Sequence, residues 1–184
     1  MPRKELTIAG VGGQGSILAG VILGSAAVTY DKKYAVQTQA YSAELRGGFA
    51  AAWVIVSDEP VIFPRVTRPD ILVAQAQDSI NRFGAVLRSE GILIFDSDLI
   101  PSVPEKIKNA YAIKATSLAR SRFQAPIVCN MIMLGALCRV GGVVSRQAFE
   151  AAIVDAVPKG KEELNLNAFD TGYDEVRKIC GNKI

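Results

Sequence analysis

Short apolar runs alternate with amphipathic stretches along this chain, and glycine, proline and aspartate punctuate each change of period. Glu5-Leu-Thr-Ile-Ala9 reads as a buried strand. It runs into Gly10-Val-Gly-Gly-Gln-Gly15 and then into an apolar helical pattern from Ser16 to Tyr30. Further strands are predicted at Tyr34–Thr38, Phe49–Val56, Ile71–Ala74, Ile92–Phe95 and Ala110–Ile113. Val61–Phe63 is expected to pair back as a short hairpin after the turn Ser57–Pro60. Asp78–Leu87 predicts a helix because Ile80, Phe83 and Leu87 share one face, and Ser117–Arg122 predicts a shorter one. Pro126 is placed to open a helix to about Val140, ended by Gly141-Gly142. The centre of that helix, Cys129 to Cys138, is apolar nearly all round, so it must be buried on more than one side, in the core or at a subunit contact. Two more helices are predicted, from Ser145 to Val157 and from about Lys161, with weak definition after Thr171. The alternation predicts one α/β domain over residues 1–184, a three-layer sandwich with a mostly parallel sheet and helices on both faces.

Gly10, Gly12 and Gly15 fall at the spacing G-x-G-x-x-G between a strand and a helix, which gives the sandwich a Rossmann-like glycine loop. Glycines there allow a tight turn, a close approach of backbone to a ligand, and close packing of helix on strand. The bare amides that open the helix attract an anion, an effect of about 0.3–1 kcal/mol at exposed sites and up to about 2 when partly buried. A dinucleotide site also needs an acid about 20 residues past the glycines, at the end of the second strand, for a ribose hydroxyl. That strand leads only into Thr38, Gln39 and Ala40, and Asp31 precedes it, at the wrong edge of the sheet. The pattern therefore argues against NAD or FAD and leaves another anion, or turn geometry alone.

Composition narrows the classes. Of 184 residues 49% are hydrophobic, and the mean hydropathy is +0.22. A subunit that buries surface against partners has this character, so a homodimer is expected of the isolated chain. The net charge of +3 comes from 21 basic and 18 acidic residues, with no basic block to mark a nucleic-acid surface. No apolar stretch reaches the roughly 18 residues of a membrane span, and the segment before Leu6 is too short for a secretory signal. Cys129, Cys138 and Cys180 show no C-x-x-C spacing and cannot all pair, which fits a reduced, cytoplasmic setting. Histidine is absent, which removes the commonest general base and metal ligand together. No catalytic or metal-binding residue is assigned.

A second glycine-rich loop, Tyr41-Ser-Ala-Glu-Leu-Arg-Gly-Gly48, lies just beyond the second strand. In a parallel sheet that is the carboxyl edge, which also carries Gly12 and Gly13 and is where ligands bind. Arg46 brings a planar donor fork suited to phosphate or carboxylate, and Glu44 is placed to orient it. A solvated surface turn accounts for the same residues if the loop acts alone.

The two motifs in this order, with Arg68-Pro-Asp70 before a strand and Pro126-Ile-Val-Cys-Asn130 opening the apolar helix, resemble the gamma subunits of the 2-oxoacid:ferredoxin oxidoreductases. The resemblance is to the 2-oxoglutarate, pyruvate and ketoisovalerate type and covers nearly the whole chain. Tyr41-Ser-Ala departs from the Tyr-Gly-Pro more often seen there, which touches the shape of that loop. The resemblance implies a multisubunit enzyme of anaerobic metabolism that converts a 2-oxoacid and CoA to an acyl-CoA and CO2 while reducing ferredoxin. It implies alpha, beta and ferredoxin-like delta partners, with thiamine diphosphate, Mg and iron–sulfur clusters in those other subunits. On this basis the carboxyl edge is expected to hold part of CoA, through Gly10, Gly12, Gly13, Gln14, Gly15, Arg46, Gly47 and Gly48. The amides of Gly12, Gly13, Gln14 and Gly15 would face its phosphates, Arg46 would add charge, and the Gln14 side chain would bond a phosphate or a pantetheine amide. Two alternatives stay open: an assembly subunit whose loops touch only partners, and a free-standing nucleotide-binding oxidoreductase.

Overall fold

The computed structural model describes residues 3–42 and 47–178, so Glu44, Arg46 and Cys180 lie outside the described residues. Seven strands form one sheet: β1 (Lys4–Val11), β2 (Tyr34–Tyr41), β3 (Phe49–Ser57), β4 (Ile71–Ala74), β5 (Ile92–Asp96), β6 (Asn109–Ile113) and β7 (Arg177–Lys178). Their spatial order is β2-β3-β1-β4-β5-β6-β7. The central part, β1-β4-β5-β6, is parallel. On its left β3 runs antiparallel to β1, and β2 antiparallel to β3. A connection as short as Ser42–Gly48 permits only a hairpin, because a parallel pair needs a crossover of a dozen residues or more. Two reversals restore direction, so β2 ends at the same edge as β1.

The helices are α1 (Ser16–Ser25), α2 (Gln77–Phe83), α3 (Ala115–Ser121), α4 (Cys129–Gly141), α5 (Arg146–Ala156) and α6 (Glu162–Glu175). The helix predicted to Tyr30 changes to a π-helical turn at Ala26–Tyr30. A 3-10 turn over Pro126–Val128 leads into α4. No helix among the described residues is long and apolar enough to cross a membrane.

Strand alternation divides the core in two, as a sheet covered on both faces requires. Ile71, Val73 and Ile94 join α1, α4, α5 and α6 in one cluster. Leu72, Ala74, Leu93 and Phe95 face the other way, onto Ile80, Leu87 and Ile100. Phe83 anchors α2 to the sheet, its ring 5.8 Å from Phe49 and 6.0 Å from Trp53. The apolar α4 is buried within the chain itself, with every residue from Cys129 to Cys138 inside. It crosses α6 backbone to backbone. A Cβ at Gly135 would overlap the Phe169 carbonyl oxygen, and one at Gly172 the Ile132 carbonyl oxygen.

One expected element does not form. Val61–Phe63 makes no strand, and Ile62 and Phe63 are 94% and 58% exposed. Pro60 and Pro64 bracket the segment and can donate nothing to a ladder, while β1 and β2 already flank β3 on both sides. At the other end α6 runs past Thr171 to Glu175, because Thr171 and Gly172 are buried against the core.

Candidate functional site

The glycine turn is held open by its own side chains. The amide of Val11 donates to Gln14 Oε1 (2.8 Å), and Gln14 Nε2 donates to the Gln75 carbonyl (2.9 Å). Gln75, 1% exposed at the end of β4, donates back to the Gln14 carbonyl (3.1 Å) and accepts from Ser16 Oγ (2.5 Å). Both ends of the Gln14 carboxamide thus serve the loop. A Cβ at Gly10 would collide with Gln14 Oε1, so the first glycine makes room for this fold-back. Positive φ falls at Gly13 (96°) and Gly15 (74°) rather than at Gly12. Gly15 is the N-cap of α1, with no side chain capping the helix.

The amides divide accordingly. Gly12 donates to the Gly48 carbonyl (2.6 Å) and Gln14 to the Val11 carbonyl (3.1 Å). Among the described residues those of Gly13, Gly15, Ser16 and Ile17 have no acceptor. These are the donors a helix start leaves open. The Gly12–Gly48 bond joins the turn to the β2–β3 hairpin, where the Ser42 amide donates to the Phe49 carbonyl (2.8 Å). The structure therefore brings Gly10, Gly12, Gly13, Gln14, Gly15, Gly47 and Gly48 to one edge, whereas Arg46 lies outside the described residues.

A groove of about 420 Å³ runs between turn and hairpin, with Gly13, Gly15 and Ser16 on one side, Tyr41 and Gly48 on the other, and Ile127 at one end. Asn130 lines it too, although it is 3% exposed. Its Oδ1 is buried with no partner among the described residues. Asn130 also packs under the turn: a Cβ on Gly15 would lie 2.5 Å from its Nδ2. A second groove, of about 350 Å³, shares Gly13 and Ile127 with the first and continues to Thr116 and Arg120. Asp31 sits elsewhere. It accepts from the amide and hydroxyl of Ser145 (both 2.6 Å) at the start of α5, so Asp31 is not a ribose-binding acid beside the glycines.

The family model described as pyruvate ferredoxin/flavodoxin oxidoreductase matches residues 5–175. The chain belongs to this family. Subunit KorC of 2-oxoglutarate synthase from Methanocaldococcus jannaschii is 46% identical over 179 residues, 96% of each chain. The gamma subunit of a keto/oxoacid ferredoxin oxidoreductase from Geobacter sulfurreducens superposes with a TM-score of 0.86 at 39% identity, over 95% of this chain and 97% of that one. The fold also recurs within a longer chain of 2-oxoglutarate:ferredoxin oxidoreductase from Magnetococcus marinus, with a TM-score of 0.83 at 22% identity, over 94% of this chain and 31% of that one.

Two strands from the glycine turn lies a buried acid that the sequence did not single out. Asp96, fully buried at the end of β5, accepts from Thr116 Oγ1 (2.6 Å), the Thr116 amide (3.2 Å) and the Asp98 amide (3.1 Å). Burial raises its carboxyl above the ordinary 3.8, against the lowering effect of the Thr116 hydroxyl. The folded chain therefore holds this proton more tightly than the unfolded chain. The stabilising contribution is full below 3.8 and is lost as pH rises through the raised folded value. Thermal unfolding followed upward from pH 4 should show a stability loss that Asp96→Asn flattens; identical profiles for the two proteins would refute it. Burial, with Asp96 adding to it, pushes the Cys129 thiol up to about 12, and burial lifts Cys138 to about 11, so neither is a nucleophile at neutral pH.

Asn130 and Gln75 are the site residues that sequence reasoning missed. Asn130 stood in the motif Pro126–Asn130 as a mark of resemblance alone, and nothing local links either residue to the glycines.

Proposed function

We propose that this chain is the gamma-type subunit of a 2-oxoacid:ferredoxin oxidoreductase, and that the groove at the start of α1 receives the phosphate groups of CoA. The observation that carries the reading is the set of amides at Gly13, Gly15 and Ser16 that have no acceptor among the described residues, beside a groove whose other side holds Tyr41 and Gly48. Such amides favour a phosphate, and Arg46 between the flanking described residues would add a charged fork. The Magnetococcus marinus relative is described with 2-oxoglutarate, coenzyme A and succinyl-CoA bound, which supports CoA as the ligand class. The reaction is 2-oxoacid plus CoA plus oxidised ferredoxin to acyl-CoA, CO2 and reduced ferredoxin.

In this reading alpha, beta and a ferredoxin-like delta subunit complete the enzyme in the cytoplasm. The iron–sulfur clusters belong to those subunits, since three cysteines lacking C-x-x-C spacing do not supply a cluster's ligands, and so do thiamine diphosphate and Mg, since the sequence carries no acidic motif resembling a diphosphate–magnesium site. The isolated chain is inactive and associates as a homodimer, which light scattering would register as twice the chain mass.

Arg46→Ala in the assembled complex should raise the KM for CoA by about 10-fold or more, because a hydrogen bond to a charged group contributes about 1.5–3 kcal/mol. Unchanged KM and kcat with assembly intact would remove Arg46 from the site. Weakened assembly before any change in CoA saturation would favour a purely structural subunit.

A further inference from the structure

We propose that Asn130 is the residue that recognises the amide-bearing pantetheine arm of CoA, so that the groove selects a diphosphate with an amide tail over a bare phosphate. This deepens the reading above and rests on it. Asn130 stands at the start of α4, 3% exposed, and lines the groove between the glycine turn and the hairpin. Its Oδ1 has no donor among the described residues. A buried carboxamide left unpaired is costly, so nearly all such groups have a partner. Here the unmet atom is an acceptor, and an ionised phosphate oxygen has no proton to give it. A secondary amide has one N–H and one C=O, the complement of a carboxamide's acceptor and donors.

The surroundings fit the same ligand. Ile17, Leu18, Phe49 and Ile127 supply apolar wall beside Asn130, suited to the methylenes between the two amides and to the dimethyl carbon between the first amide and the diphosphate, while the amides of Gly13 and Gly15, open among the described residues, lie on the phosphate side. Gln14, the carboxamide the sequence offers for this role, is bonded within the turn at both ends. Asn130 packs under Gly15 so closely that a Cβ there would lie 2.9 Å from its Cγ, which fixes the carboxamide in the wall of the groove. A rigid donor–acceptor pair of this kind loses little freedom on binding.

The test compares CoA with 3'-phosphoadenosine 5'-diphosphate, its nucleotide portion without the arm, as a competitive inhibitor of the assembled enzyme. Asn130→Leu, close to isosteric, should raise the KM for CoA about 10-fold while the inhibition constant of the nucleotide stays within about twofold. Thermal unfolding of the isolated chain should hold or rise, because an unsatisfied amide has been replaced by an apolar group. Asn130→Ser serves in its place if the leucine variant does not assemble. An unchanged KM for CoA overturns the proposal, and so does an equal rise for CoA and the nucleotide, which would make Asn130 a support for the turn alone. Failure of the underlying reading looks different: the nucleotide does not compete even with the unaltered enzyme, and Arg46→Ala leaves CoA saturation untouched.

Discussion

Alanine at Gly135 or Gly172 should destabilise the chain by more than about 3 kcal/mol, a large part of the roughly 5–15 kcal/mol that holds a domain folded. Each added methyl would sit inside a backbone carbonyl of the facing helix, at Phe169 or Ile132, and backbone has no rotamer with which to move aside. Relief requires α4 and α6 to separate, and that opens the buried row from Cys129 to Cys138 along the whole crossing. At about 2–4 °C per kcal/mol for a chain of this size, the melting temperature should fall by at least about 6–12 °C. Gly24→Ala is the control, since nothing lies within 4 Å of a Cβ there, and alanine within a helix is expected to be neutral or slightly stabilising. Equal melting temperatures for Gly135→Ala and Gly24→Ala would show that the crossing has slack the backbone contacts deny.

Gly15→Ala should cost about 2–5 kcal/mol and disorganise the groove. Two effects combine there. A left-handed conformation costs an L-residue about 1–2 kcal/mol, and the new Cβ would lie 2.5 Å from Asn130 Nδ2 and 3.1 Å from Asn130 Cβ, a buried side chain with no room to withdraw. Gly13→Ala separates the two, because its φ is also positive while nothing lies within 4 Å. Gly13→Ala should therefore lose only the strain, and its added methyl should protrude into the groove and weaken CoA saturation. Chemical denaturation of both variants checks the ordering; a Gly13→Ala loss equal to that of Gly15→Ala would remove the Asn130 contact from the account.

Much of this was legible beforehand because it is local. Short continuous apolar runs bounded by turn residues located β1, β3, β4, β5 and β6, and the spacing of Gly10, Gly12 and Gly15 located the turn, since both signals are set by neighbours in the chain. Which glycine does what was not legible. Gly13, outside the motif pattern, adopts the left-handed conformation, whereas Gly12 does not, because the bond from Gly12 to Gly48 and the fold-back of Gln14 set the path of the turn. The proline-bracketed Val61–Phe63 looked strand-like by composition and found no free strand to pair with.

By itself the sequence determined the α/β class, the glycine turn with its helix start and the burial of the Cys129–Cys138 helix, all consequences of local period and residue chemistry. Only the tertiary structure decided that β3 enters beside β1 in reverse, that Asn130 rises under Gly15 with an Oδ1 unpaired among the described residues, and that α4 and α6 touch through Gly135 and Gly172. Those facts depend on which distant segments share space, and that is settled by filling one core at close-packed density rather than by any short stretch of chain.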